Sequence, residues 1–243
     1  MSHDQATVAE EEYLQSMYWL QEAGLPITGA NIARAMQVSA PTVHEMLGRL
    51  EADGYVTRDA DKSLAFTETG TEHASQIVRR HRLIERFLTD VFDIPWDQVH
   101  EEAERLEHWM SPMVEERMIK AIGDATTCPH GHPIFEGRRE QGVPMADVEE
   151  GAKVTVLRFE NEAEDLLHYL MDAGLTPGQE GTLSVSGRMR SPWPAASTIA
   201  VLARVMGKRV HSPSEGSRSA EGNSRSYQER SPASAGWARL RSR

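Results

Sequence analysis

The stretch Ile27-Thr-Gly-Ala-Asn-Ile-Ala-Arg-Ala-Met-Gln-Val-Ser-Ala-Pro-Thr-Val-His-Glu-Met-Leu-Gly-Arg-Leu50 decides the fold, because it predicts two short helices joined by a tight turn. Ser39 is placed to cap the second helix, and Pro41 is tolerated in a first turn, where an amide would have no partner. This pattern is typical of a helix-turn-helix unit. Apolar side chains recur at helical spacing on one face of each helix, at Ile32, Ala33, Met36, Val43, Leu47 and Leu50.

The flanking segments predict a winged form of this unit. An amphipathic helix is predicted over residues 8–23, and a β-hairpin with its turn at Asp59-Ala-Asp-Lys62 follows the second helix. Such a unit is expected to bind DNA, with protein contact as the alternative. The recognition helix would place side chains near base edges in the major groove, namely Ser39, Pro41, Thr42, His44 and Glu45. The cations available for phosphate contacts are Arg34, Arg49, Arg58 and Lys62.

Two longer helices are predicted next, over residues 69–92 and 99–122, and they carry polar faces. His100, Glu104, Glu107 and His108 stand at i, i+4, i+7 and i+8, on one side of a continuous helix. The first of the two helices has a similar pair one turn apart, His81 and Glu85. Imidazoles and carboxylates crowded together are costly to bury unless something neutralises them, and a divalent cation does so. The alternative is that these are solvated helix charges and surface pairs.

The second half of the 99–122 helix is strongly apolar. Its side chains include Met110, Met113, Val114, Met118 and Ile119. Exposed apolar surface of this extent on a helix pair predicts the interface of a homodimer.

The chain after residue 122 contains a loop and a small third domain. The loop Thr127-Cys-Pro-His-Gly-His-Pro-Ile-Phe135 carries Cys128, His130 and His132, which we interpret as structural in preference to metal-ligating. A strand over 151–159, a short helix over 163–174 and the start of another strand indicate a small β-barrel-like domain. Only one further weak strand is predicted, near 199–210, so the domain is expected to be incomplete or diverged.

Composition limits the remaining possibilities. The net charge of the 243-residue chain is −11, with only four lysines, a balance that resembles proteins of salt-rich cytoplasm. The single cysteine, Cys128, excludes an internal disulfide and agrees with a reducing cytoplasm. No run of 18 apolar residues and no basic-then-apolar N-terminus occur, so neither a membrane span nor a signal peptide is expected.

We therefore expect a DNA-binding domain over 1–73, a helical domain over 74–140, a linker over 141–150 and a third domain over 151–210. Residues 211–243 are rich in Ser and Arg without an apolar period, which predicts a disordered tail. We hypothesise that this tail is out of frame or heavily diverged.

Over residues 8–180 the chain resembles the metal-dependent repressors of the diphtheria toxin repressor (DtxR) and MntR type. The resemblance is carried by Ser39-Ala-Pro-Thr-Val43, Arg79-Arg-His-Arg-Leu-Ile-Glu85, His100 to Ser111, and the loop Cys128-Pro-His-Gly-His-Pro-Ile134. It implies a mainly α fold with little β structure: a winged helix-turn-helix, a helical metal-binding and dimerisation domain, and a partial SH3-like (FeoA-like) C-terminal domain. In the family the 128–134 loop is structural.

The resemblance also implies two sets of metal ligands. One set is Glu12, Glu104, Glu107 and His108, and the other is His81, Glu85 and His100, with further ligands from the third domain near Glu162, Glu164 and Asp165. Iron-type members have Met and Cys where this chain has Glu12 and Glu104, whereas manganese-type members have carboxylates. Hard oxygen ligands with an imidazole suit Mn(II), or alternatively Fe(II). Gln15 departs from the manganese type, some members of which have a carboxylate there.

The sequence thus predicts a cytoplasmic, homodimeric, metal-sensing regulator of metal-ion homeostasis genes that binds double-stranded operator DNA. One alternative is a winged-helix regulator that senses a small molecule. Another is a metalloenzyme, which is disfavoured because neither a His-Glu-x-x-His nor a paired Glu-x-x-His motif is present. With so few cations, operator affinity is expected to depend weakly on salt.

Overall fold

The computed structural model describes residues 6–59, 63–135 and 140–183 and the backbone of 201–205. The N-terminal unit is a winged helix of three helices and a two-stranded hairpin. Its elements are α1 (Val8–Glu22), α2 (Gly29–Met36), α3 (Ala40–Ala52), β1 (Val56–Arg58) and β2 (Leu64–Phe66). β1 and β2 pair antiparallel. The predicted helix-turn-helix with a wing is therefore confirmed.

The turn between α2 and α3 forms for the local reasons read from the sequence. Gln37 adopts a left-handed conformation at φ 53°, which ends α2, and the side chain of Ser39 accepts a hydrogen bond from the amide of Thr42 to cap α3. Pro41 lies in the first turn of α3. The inner faces pack around a buried core of Tyr13, Leu14, Met17, Ile32, Val43, Leu47 and Leu50.

The long helix α4 (Glu68–Phe92) leads from the wing into the second domain. Its first turn lies so close to the wing that a Cβ atom added at Gly70 would stand 1.8 Å from the carbonyl oxygen of Tyr55. Only a residue without a side chain allows that approach. α4 also packs along α1, so α1 contacts both the DNA-binding unit and the helical domain.

The prediction of a single helix over residues 99–122 is wrong. The structure has α5 (Val99–Leu106), a 3-10 turn (Glu107–Trp109) and α6 (Pro112–Ala121). Met110 is extended, Ser111 caps α6 through the amide of Val114, and Pro112 occupies its first turn. Since α5 ends at Leu106, and Glu107 and His108 belong to the 3-10 turn, the polar residues at 100–108 do not lie on one continuous helix face.

In its described residues the third domain contains a four-stranded antiparallel sheet in the order β3-β6-β4-β5. Its elements are β3 (Val143–Pro144), a 3-10 turn (Met145–Asp147), β4 (Lys153–Phe159), α7 (Glu164–Asp172), β5 (Glu180–Thr182) and β6 (Val201–Val205). The weak strand expected near 199–210 is thus β6, which pairs with both β3 and β4. The segment 141–150, expected as a linker, contains β3. The domain boundaries remain a prediction, and the predicted tail lies outside the described residues.

Packing of Trp96 on Phe159, with ring centroids 5.4 Å apart, docks the third domain on the helical domain. Trp96 belongs to the α4–α5 connection, and Phe159 ends β4 within the apolar cluster under α7. Among the described residues, no helix is both long and apolar enough to cross a membrane.

Candidate metal centre and DNA-binding surface

Four polar side chains from three parts of the chain converge where α4, α5 and the third domain meet. His81 and Glu85 come from α4, His100 from α5, and Glu162 from the turn after β4; their ligand atoms all lie within 4.8 Å of one another. Oε1 of Glu85 lies 2.9 Å from Nε2 of His81 and 3.2 Å from Nδ1 of His100. Nδ1 of His100 also lies 3.1 Å from Oε2 of Glu162. The structure thus brings together the predicted ligand set of His81, Glu85 and His100, with Glu162 from the third domain.

This cluster has the chemistry of a cation site. Glu85 and His81 are 0% and 1% exposed, and within the described part of the chain Oε2 of Glu85 has no hydrogen-bond partner. A buried carboxylate oxygen without a partner is costly unless something neutralises it. Two imidazole nitrogens and two carboxylates form a nitrogen and oxygen donor set that suits Mn(II) or Fe(II). The residues present therefore fit a divalent cation.

The electrostatics of the cluster point the same way. Burial opposes the charged form of His100, yet its hydrogen bonds with Glu162 and Glu85 raise its pKa to about 9. Burial and the charge of Glu85 favour protonated Glu162, yet the charge of His130 and the hydrogen bond with His100 lower its pKa to about 2. The carboxylates are therefore ionised and compensated by imidazolium protons. A divalent cation bound here would replace such protons, so its affinity would rise with pH.

The loop after α6, which the sequence predicts to be structural, also contributes side chains to this region. Oε1 of Glu85 lies 3.2 Å from Nδ1 of His130, and Glu85, Cys128 and His130 form a second group whose ligand atoms lie within 4.8 Å of one another. Nε2 of His132 lies 3.3 Å from Oε1 of Glu162. The alternation of Cys128, His130 and His132 in the sequence is typical of a ligand group. The carboxylate that joins Cys128 and His130, Glu85, is more than 40 residues away in the chain, so the sequence gives no sign of it.

Backbone hydrogen bonds hold this loop against β4. The amide of Cys128 donates to the carbonyl of His132 at 2.8 Å, and the amide of Phe159 donates to the carbonyl of His130 at 3.0 Å. Gly131 has a φ of 93°, and a Cβ there would stand 2.2 Å from the carbonyl oxygen of Leu157. The loop is thus structural as well, because it connects the helical domain to the third domain.

The first predicted ligand set is only partly assembled. His108 lies with its Nε2 3.3 Å from Oε1 of Glu107, while its Nδ1 bonds Oε2 of Glu11 at 2.6 Å. The ligand implied by the resemblance is the neighbouring residue, Glu12, whereas Glu11 makes the contact in the structure. Burial lowers the pKa of His108, but the hydrogen bond with Glu11 and the charges of Glu107, Glu11 and Glu12 raise it overall. Glu12 is half-buried next to this group.

Three other predicted ligands lie apart from these contacts. The side chain of Glu104 is 40% exposed, and its carboxylate approaches Nε2 of His100 only to 3.8 Å. Glu164 and Asp165 are exposed on the first turn of α7. Of the three candidates from the third domain, only Glu162 reaches the cluster.

Glu107 connects the two ligand sets. Its Oε2 lies 2.6 Å from Nδ1 of His81 and accepts a hydrogen bond from Nε2 of Gln15 at 2.9 Å, while its Oε1 faces His108. Both nitrogens of His81 therefore contact carboxylates, Glu107 on one side and Glu85 on the other. The structure thus shows one continuous polar network where the sequence predicts two separate sites.

The predicted DNA-contacting residues form one exposed surface. The exposed side chains along α2, α3 and the wing include Arg34, Ser39, Pro41, Thr42, His44, Glu45, Arg49 and Arg58. Lys62 lies outside the described residues. Two of the arginines are paired with carboxylates: Arg49 with Glu10 at 3.2 Å, and Arg58 with Glu51 through two bonds of 2.9 Å.

Comparison with known proteins agrees with this architecture. Residues 6–64 match the family description "iron dependent repressor, N-terminal DNA binding domain", and residues 67–136 match its "metal binding and dimerisation domain". Residues 143–192 match the FeoA domain. The iron-dependent repressor IdeR of Mycobacterium tuberculosis is 37% identical over 193 residues, which cover 72% of this chain and 84% of that protein. The chain belongs to the iron-dependent repressor family. Like its relatives, this repressor is a metal-sensing, DNA-binding transcriptional regulator and not an enzyme.

Other relatives and solved structures support the same placement. The diphtheria toxin repressor of Corynebacterium diphtheriae is 42% identical over 137 residues, covering 56% of this chain and 60% of that protein. The structure of IdeR from T. acidophilum superposes on the repressor with a TM-score of 0.67 at 25% identity, covering 83% of this chain and all of that one. The manganese regulator SloR gives a TM-score of 0.67 at 29% identity, covering 81% and 98%.

Proposed function

We propose that this repressor is activated by Mn(II), acts as a homodimer on operator DNA, and controls genes of metal-ion homeostasis. The observation that carries the metal assignment is the buried cluster of two imidazoles and two carboxylates at His81, Glu85, His100 and Glu162. Carboxylates at Glu12 and Glu104 add to the hard-donor character. Oxygen and nitrogen ligands suit Mn(II), and Fe(II) is the alternative, because several curated relatives are named iron-dependent repressors.

The first proposed ligand set consists of His81, Glu85, His100 and Glu162. The second lies between α1 and the helical domain and consists of Glu12, Glu104, Glu107 and His108. A bound cation supplies positive charge that lets these carboxylates share one site. Glu12 belongs to α1 and His108 to the helical domain, so their joint ligation fixes the winged helix relative to that domain. If DNA prefers this arrangement, metal and operator stabilise each other reciprocally.

The dimer is proposed from the exposed apolar side chains around the 3-10 turn and α6. Trp109 is 80% exposed and Met113 is 69% exposed. The neighbouring side chains of Leu106 and Val114 are exposed as well. Large apolar side chains exposed this fully in one region mark an interaction surface. The family description of the matching domain as metal binding and dimerisation supports a second copy of this chain as the partner.

DNA binding measured with and without metal tests the proposal. A DNA duplex selected from random sequence by the full-length protein in Mn(II) serves as the probe, and affinity is measured in chelator and then with Mn(II), Fe(II) under anaerobic conditions, Zn(II) or Mg(II). We expect a gain of about 5- to 150-fold with Mn(II), the usual range for coupling between two sites. No gain with any metal would refute metal activation and favour the small-molecule regulator. A larger gain with Fe(II) at equal free concentration would reassign the metal.

A further inference from the structure

One ion pair joins the first helix to the recognition helix. Oε1 of Glu10 lies 3.2 Å from Nη2 of Arg49, and the side chains are 6% and 51% exposed. The carboxylate is fixed, because its Oε2 accepts hydrogen bonds from the amide of Thr7 at 2.7 Å and from its hydroxyl at 2.9 Å. A rigid, buried anion therefore faces a half-exposed guanidinium on the DNA-binding surface.

The same turn of α1 also contacts the metal-binding domain. Glu11, the next residue, bonds His108 at 2.6 Å. Successive helix residues are about 100° apart, so Glu10 and Glu12 lie about 200° apart, on nearly opposite sides of α1. Glu10 therefore faces the recognition helix while Glu12 lies on the other side of the helix.

We propose that Glu10 is a positioning residue that withholds Arg49 from DNA phosphate until the first turn of α1 is drawn toward His108. The proposal rests on the proposed function, because it takes Glu12 and His108 as joint metal ligands.

The direction of the effect follows from the placement of the residues. Carboxylate and phosphate oxygens compete for the same donors of an arginine, and Glu10 also repels a phosphate near Arg49. His108 faces Glu11 in this structure, so joint ligation of one cation by Glu12 and His108 requires a rotation of the first turn of α1 that brings Glu12 toward His108. The same rotation carries Glu10 away from Arg49, and the guanidinium becomes available to DNA.

The wing offers a matched control for Glu10. Arg58 is held by Glu51 through two bonds of 2.9 Å, and both residues belong to the winged helix, with Glu51 on α3 and Arg58 on β1. Glu51 is thus another carboxylate paired with an arginine that is predicted to contact phosphate, but it is not part of α1. Replacement of Glu51 by a neutral residue therefore changes the charge beside an arginine without changing the contact between α1 and the metal centre.

The test compares E10Q and E51Q with wild type on the selected duplex, in chelator and in saturating Mn(II), at several salt concentrations. Glutamine at position 10 can still accept the hydrogen bond from Thr7, so the helix cap is kept. For E10Q we expect metal-free affinity to rise about tenfold while the Mn(II)-loaded affinity changes less than about twofold, which reduces the Mn(II)-dependent gain about tenfold. The metal-free slope of log affinity against log salt should steepen by about one per protomer.

For E51Q we expect equal changes in chelator and in Mn(II), so that the gain stays at the wild-type value. If wild type shows a gain and E10Q retains all of it, the role of Glu10 is refuted while the proposed function stands. Adding E10Q to R49M should have no further effect on the gain, and a further effect would also refute the role of Glu10. If wild type itself shows no gain, the proposed function fails, and this inference fails with it.

Discussion

Replacement of Glu85 by Gln should remove most of the stabilisation that Mn(II) gives by binding at the cluster of His81, Glu85, His100 and Glu162. Glu85 belongs to both groups of ligand atoms, and its Oε1 lies within 3.2 Å of His81, His100 and His130. Gln is nearly isosteric but neutral, so the cluster loses an anionic ligand and the imidazoles lose their nearest buried counter-charge.

The size of the effect follows from linkage. Metal at 100 times its dissociation constant stabilises the folded state by about 2.7 kcal/mol. At roughly 2–4 °C per kcal/mol for a chain of this size, wild type should gain about 5–10 °C in Tm. Loss of an outer-shell partner alone can weaken metal binding roughly 100-fold, so loss of a ligand should cost at least as much. At the same metal concentration the remaining stabilisation is then about 0.4 kcal/mol, or about 1–2 °C.

Thermal unfolding with chelator and with Mn(II) measures this shift, and E115Q is the matched control. Glu115 is also a buried carboxylate, held by Arg79 and Arg80, but it belongs to neither ligand group. Both variants should unfold earlier than wild type in chelator, because each loses the charge of a buried carboxylate that faces cationic groups. Only E85Q should lose most of the Mn(II) shift. If Mn(II) raised the Tm of E85Q as much as it raises that of wild type, the assignment of Glu85 as a ligand would be refuted.

Four further outcomes are expected. M113E together with W109D should convert the dimer to a monomer in sedimentation experiments, because these exposed apolar side chains would then carry charge; an unchanged mass would place the interface elsewhere. G70A should lower the free energy of unfolding by about 1–3 kcal/mol through its clash with the carbonyl of Tyr55, and an unchanged denaturation midpoint would contradict that close approach. E104C should raise affinity for Zn(II) relative to Mn(II) in competition titrations, since a thiolate is the softer ligand; equal ratios would remove position 104 from the site. Operator affinity should fall less than about a hundredfold between roughly 50 and 200 mM salt, whereas a thousandfold fall would contradict the limited number of cations.

Local features of the chain were predictable because their physical causes are local. The Ser39 cap, Pro41 in the first turn and the hairpin after Gly54 depend on residues within a few positions of each other. The pairing of His81 with Glu85 also follows from one turn of helix. The break at Ser111 and Pro112 carries the same kind of signal, an N-cap followed by proline. The apolar period continues across it, however, and therefore favours a single helix.

The long-range contacts could not be read from the chain. Glu11 meets His108 across 97 positions and Gln15 meets Glu107 across 92, and no periodicity relates such residues. The choice between Glu11 and Glu12 depends on how α1 is rotated against the helical domain, which packing sets. The entry of Glu162 into the cluster depends on the docking of the third domain through Trp96.

The sequence by itself determined which chemistry is present: a winged helix with a recognition turn, and helices that carry imidazoles and carboxylates. Tertiary structure alone decided which of these groups meet. It joined two expected sites into one network through Glu107, brought His130 against Glu85, and set Glu10 against Arg49. The physical reason is that local backbone preferences act over a few residues, whereas the position of a buried charge depends on every element packed around it.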